Sequence, residues 1–178
     1  MLLKSYFELM AQYNQTMNSR IYGAAGQLSA ADLSKDQGAF FGSIHNTLNH
    51  ILVADTIWLQ RFARHQEFSA LRYVMTLPSP PALDCVLFAD FSELSHNREK
   101  MDQVINVFVA QLNDEVLSQA LSYTNTKGVA AIKNFAHVLQ HFFNHQTHHR
   151  GQVSTLLYQQ GIDPGVTDLL ASVPNIEM

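Results

Sequence analysis

Phe135-Ala-His-Val-Leu-Gln-His-Phe-Phe-Asn-His-Gln-Thr-His-His-Arg-Gly-Gln-Val-Ser-Thr-Leu-Leu-Tyr-Gln-Gln160 carries most of the information about how this chain folds. At about 100° per residue, Phe135, Val138, Leu139, Phe142, Val153, Leu156 and Leu157 fall on one side of a helix. The spacing predicts a helix from about Lys133 to Gln160 that stops at Gly161, a natural residue just past a helix end. Five histidines crowd this one segment: His137, His141, His145, His148 and His149. On the same wheel His149 lies about 40° from the centre of the apolar stripe and His145 about 80° from it. His137 and His148 belong on the water side, and His141 is intermediate. His145 and His149 are four residues apart, so they stand one above the other.

Two imidazoles at that spacing can grip one tetrahedral metal ion. A zinc protease also needs a glutamate directly after the first histidine, and this chain has Gln146 there. The competing reading of His149 is a buried histidine satisfied by a backbone carbonyl. A catalytic zinc needs a third protein ligand, and both His45 and His50 are candidates on an earlier helix. Asp55 falls in the middle of that helix's apolar stripe. A carboxylate there needs a cation, a metal or hydrogen bonds. An internal ion pair with Arg20, Arg61 or Arg150 is the simpler expectation, and direct ligation the other.

Elsewhere in the chain, a first helix is predicted from about Leu2 to Gly26. Ser29-Ala-Ala-Asp32 caps one short turn. A second helix is expected from about Phe40 to Arg64, with Phe41, Ile44, Leu48, Ile51, Leu52, Leu59 and Phe62 along one side. Three prolines within Thr76-Leu-Pro-Ser-Pro-Pro-Ala82 demand a loop. Phe91 to about Leu112 reads as a third helix. Ser122-Tyr-Thr-Asn-Thr-Lys-Gly128 is rich in β-branched and turn residues and predicts a hairpin or extended segment between Leu121 and Ile132. One more turn is expected over Val166 to Ala171. Four long amphipathic segments predict an all-α four-helix bundle.

The 178 residues fit one domain spanning 1–178. At 47% apolar and 15% charged the chain can build a core, and its formal charge of −4 speaks against a nucleic-acid-binding face. The single cysteine, Cys85, excludes an intramolecular disulfide framework and suits a reducing compartment. No secretory signal or membrane span is legible, so a soluble cytoplasmic protein is expected.

Two strings carry a resemblance. Leu48-Asn-His50-Ile-Leu-Val-Ala-Asp55-Thr-Ile-Trp58-Leu-Gln-Arg61 and Asn144-His145-Gln-Thr-His148-His149-Arg150-Gly151-Gln152 resemble the DinB family, and Tyr13, Asn14, Asn18 and Arg20 sit near its pattern in the first helix. The resemblance implies a DinB/YfiT-like bundle, often a homodimer, in which a His triad holds a divalent metal, zinc or nickel being favoured. Carried over, the triad is His50, His145 and His149, with His148 in the motif but outside the ligand set. It also implies supporting roles for Arg150 and Gln152. Relatives include bacillithiol-dependent S-transferases and mycothiol-dependent maleylpyruvate isomerases. A metal-dependent enzyme acting on a small molecule with a low-molecular-weight thiol is therefore expected. The alternative is a non-catalytic ligand-binding or interaction bundle with a structural metal or none.

Overall fold

The computed structural model describes residues 3–176. The chain is mostly helical, with one small hairpin. Its elements are α1 (Leu3–Ala25), α2 (Ala30–Ser34), α3 (Ile44–His65), α4 (Phe91–Ala110), α5 (Asp114–Ser118), β1 (Ala120–Thr124), β2 (Ala130–Asn134) and α6 (Phe135–Gln159). Leu2, placed in the first helix by the sequence, lies outside the described residues. Helix α1 packs on α4 and α6, while α3 packs on α6 and also meets α4. Phe7, Ile21, Leu48, Phe62, Ile105, Phe108, Phe135 and Phe142 are buried among them. None of the described helices is long and apolar enough to cross a membrane.

The expected short turn is α2, where the Ser29 hydroxyl accepts from the Asp32 N–H at 3.1 Å. The second long helix begins four residues later than its sequence predicts. Gly38 and Gly42 both adopt positive φ, 70° and 79°, and fold residues 37–42 into a tight turn. Ser43 then caps the helix by accepting from the Asn46 N–H at 3.1 Å. This delay takes Phe40 and Phe41 out of the helix and hangs them beside its first turns.

Helix α4 ends at Ala110 instead of Leu112. A five-residue helix, α5, follows under an Asn113 cap and is too short to show in the apolar periodicity. The predicted hairpin is real, with Leu121 opposite Lys133 and Tyr123 opposite Ala131. It also claims Lys133 and Asn134, so the last long helix starts at Phe135. Asn134 ends β2 and caps α6 by accepting from the His137 N–H at 3.1 Å. The expected C-terminal turn forms at Leu169–Ser172.

Candidate metal centre

Helices α3 and α6 bring His50, His145 and His149 together. One ring nitrogen from each lies within 4.8 Å of the other two. His145 Nε2 is 3.2 Å from His50 Nε2 and 3.1 Å from His149 Nε2. Tetrahedral zinc with Zn–N bonds of about 2.0–2.1 Å sets its ligand nitrogens about 3.3 Å apart. Two of the three separations match that spacing, and the third lies within 4.8 Å, so the cluster is compatible with a metal site.

Hydrogen bonds at the far side of two rings fix what those nitrogens offer. His50 Nδ1 lies 2.7 Å from the Leu83 carbonyl, which can only accept, so Nδ1 carries the proton. His149 Nδ1 likewise donates to Gln152 Oε1 at 2.8 Å. Each ring then turns an Nε2 lone pair toward His145. A single proton on His145 Nε2 satisfies only one of them. A cation between the rings would satisfy all three, and partners such as the Leu83 carbonyl and Gln152 are the kind that orient metal-bound histidines. An all-imidazole donor set suits zinc, nickel, copper and iron alike.

Burial pushes all three histidines toward the neutral form that binds metal. It carries His145 down to about 3, with His149 and His50 adding to the effect. It also lowers His50, against the Leu83 carbonyl, and His149, against Gln152. A histidine held below its unfolded pKa contributes stability above about pH 6.5 and loses it as pH falls toward the folded value. In metal-free protein His145 should cost on the order of 2 kcal/mol of stability between pH 7 and pH 5. Urea denaturation at both pH values, compared between wild type and His145→Asn, isolates this group. An identical pH response in the two proteins contradicts the assignment.

Of the other histidines on α6, His137 and His148 follow the helical wheel and are exposed. His141, intermediate on the wheel, is also exposed and meets the Trp58 ring edge-on at 5.5 Å. His45 is buried, but its Nε2 is paired with the Phe88 carbonyl at 2.9 Å and takes no part in the cluster. Gln146 is fully buried in the protein interior. Phe41 stacks on His50 with ring centroids 3.9 Å apart and meets the His149 ring edge-on at 5.6 Å. It forms one wall of the site, while Phe40 next to it is 86% exposed. Helical spacing assigns Phe41 to the α3 stripe instead. The signal for its actual place is Gly42-Ser43, a turn glycine followed by a capping serine.

Asp55 is ion-paired as expected, but with Arg98 of α4 rather than with Arg20, Arg61 or Arg150. Its Oδ2 lies 2.5 Å from Arg98 Nη1. Arg98 Nη2 also lies 2.9 Å from Asp102 Oδ1. Asn14 and Asn18 of α1 donate to that same Asp102 oxygen at 3.2 and 2.8 Å. Arg150, directly after His149, donates to the side-chain oxygens of both asparagines. Arg150 therefore ties α6 to α1, and Gln152 orients His149. The polar network joins all four long helices and reaches the triad through Arg150, next to His149 in sequence.

The sequence profile of the DinB family matches residues 1–175. The chain is 23% identical over 157 residues to Protein DinB of Bacillus subtilis (strain 168), an alignment covering 88% of this chain and 87% of that protein. With a profile match over nearly its whole length, and a His triad whose geometry is compatible with a metal site, the chain belongs to the DinB family.

Proposed function

We propose that this chain is a divalent-metal-dependent enzyme in which His50, His145 and His149 hold one ion, Zn²⁺ or Ni²⁺. The observation that carries the reading is the meeting of three Nε2 atoms, two of them presenting lone pairs to the third. An ion bound there supplies a Lewis-acid centre that lowers the pKa of a water or thiol toward neutrality. The chain's own residues do the positioning. Leu83 and Gln152 hold two rings in the ligating tautomer, and Phe41 screens His50 from water. Asp55 is engaged by Arg98 and His141 rests on Trp58, so neither closes the site as a fourth ligand. Three protein donors leave room for an exogenous one, the pattern of a catalytic centre.

The chemistry we favour is addition of a low-molecular-weight thiol to a small electrophilic substrate, either S-transfer or isomerisation. It is supported by the character of DinB relatives and by fold analogy alone. Metal analysis of protein purified without a His tag tests the site. Wild type should carry close to one ion per chain and His149→Ala close to none. Equal metal in both would sink the triad.

A second reading has an observation in its favour. His50 and His149 are only 4% and 8% exposed, which also suits a structural ion in a non-catalytic binding bundle. Cobalt-loaded protein separates the two. A thiol-induced change in its visible spectrum supports an open position, and an unresponsive spectrum supports a closed structural site.

We further read α1, α3, α4 and α6 as one four-helix bundle of the DinB/YfiT type, forming a single domain of a soluble, cytoplasmic homodimer. Sedimentation at micromolar concentration should show a species of twice the 20.0 kDa chain mass. A species of chain mass alone contradicts the dimer.

A further inference from the structure

Arg61 is a half-buried cation with no counterion among the described residues. It sits on α3 one turn after Trp58, and its guanidinium carbon lies 4.5 Å from the Trp58 ring centroid and 5.0 Å from that of Tyr123. Its Nη2 donates to the Thr124 carbonyl at 2.9 Å. Among the described residues no carboxylate comes within 4.0 Å of it, whereas Arg98 lies against Asp55 and Asp102, and Arg72 against Glu67. Burial already weighs against its charge, and Arg64 nearby adds like-charge repulsion, with Tyr123 opposing. Partial burial of a guanidinium without a counterion carries a cost that the two ring faces offset only in part and that an anion would remove.

Its position gives that cost a use. Trp58 links Arg61 to the metal triad, because its ring meets His141 edge-on at 5.5 Å and His141 lies 6.0 Å from His145. An unbroken row of rings therefore runs from a metal-ligating histidine to an uncompensated cation. Guanidinium presents five N–H donors in a planar fork, and Thr124 takes one side. The remaining edge matches a carboxylate, which Arg pairs with in bidentate fashion better than Lys does.

We propose that Arg61 is the anion-recognising residue of this site: the substrate or co-substrate carries a carboxylate that docks on Arg61, while its body crosses Trp58 and His141 toward His145. The direction of docking rests on the metal reading above, but the carboxylate contact is testable without metal. The competing reading is that Arg61 only pins the β1–β2 hairpin to α3 through Thr124 and Tyr123.

Trp58 is the chain's one tryptophan and touches Arg61, so its fluorescence reports directly on this contact. Benzoate and benzyl alcohol, which differ in carrying a carboxylate, are titrated into the full chain, both metal-stripped and zinc-loaded. Benzoate should saturate at least about tenfold more tightly than benzyl alcohol in both forms, the discrimination expected of charge-assisted hydrogen bonds. Arg61→Gln should abolish that preference, and Arg64→Gln should leave it unchanged. In wild type, the Arg61 Nε–H resonance should move with the same dissociation constant, which settles the matter even if Arg61→Gln fails to fold. Equal affinity for the two probes, a stationary Arg61 resonance, or full preference in folded Arg61→Gln overturns the proposal. Benzoate binding in a protein that takes no metal would break the metal reading alone; metal binding without benzoate preference would break this one alone.

Discussion

Replacing Arg98 with methionine is expected to destabilise the protein by about 3–5 kcal/mol, the range for breaking a buried ion pair from one side. Arg98 is 1% exposed, and its guanidinium is the cation that compensates Asp55 and Asp102, both as deeply buried. Burial already pushes the Asp55 carboxyl up to about 6 with Arg98 in place. Without the arginine, two carboxylates must stay charged in the interior or take up protons, and either outcome costs stability at pH 7. The loss comes from the stranded partners more than from the missing contact. Arg98→Met combined with Asp55→Asn should therefore be less destabilised than the two single changes added together. Urea denaturation at pH 7 measures all three proteins. A loss below about 1 kcal/mol for Arg98→Met would mean that the network is not the tie between helices that its geometry indicates.

Zinc should stabilise the protein by a comparable amount. A ligand that binds only the folded state stabilises it by about 2.7 kcal/mol at 100 times its dissociation constant and about 4.1 kcal/mol at 1,000 times. Zinc at such concentrations should give wild type that increment. His145→Ala should gain nothing measurable, because it removes the nitrogen that lies between the other two. His137→Ala and His148→Ala, both at exposed positions, should keep the full gain. Denaturation with and without zinc decides it. An undiminished gain in His145→Ala would place the ion elsewhere.

Much of this site is legible in the amino-acid sequence. Helical periodicity alone turns His149 inward, sets His145 at the border and sends His137 and His148 to water, and their observed burial follows that order. Periodicity does not choose between His45 and His50. Their difference lies in partners distant in sequence: the Phe88 carbonyl takes His45, and the Leu83 carbonyl turns His50 toward α6. Both carbonyls lie on the connection between α3 and α4, whose path no local pattern encodes.

The need of Asp55 for a partner is equally legible, and the identity of that partner follows from a pattern shared by two helices. Leu94, Arg98, Met101, Ile105 and Phe108 follow the 4-3-4-3 spacing of a buried stripe, as do Leu48, Leu52, Asp55, Leu59 and Phe62. One charge interrupts each stripe, with opposite sign, and the stripes pair through those positions. Arg20, Arg61 and Arg150 interrupt no such stripe on α4, the helix that meets Asp55. The late start of α3 has a local cause. Hydrophobic spacing extends the helix back to Phe40, but Gly42 at positive φ and the Ser43 cap end it sooner. The displaced Phe41 then becomes a wall of the candidate metal centre.

If His50, His145 and His149 share one ion and leave a coordination position to a non-protein ligand, anomalous diffraction from crystals of the metal-loaded protein will show it. One metal peak is expected, with three Nε2 atoms at about 2.0–2.1 Å and a water or added thiol completing the sphere. A peak away from this triad, or a fourth side chain closing the sphere, would contradict the open three-histidine site.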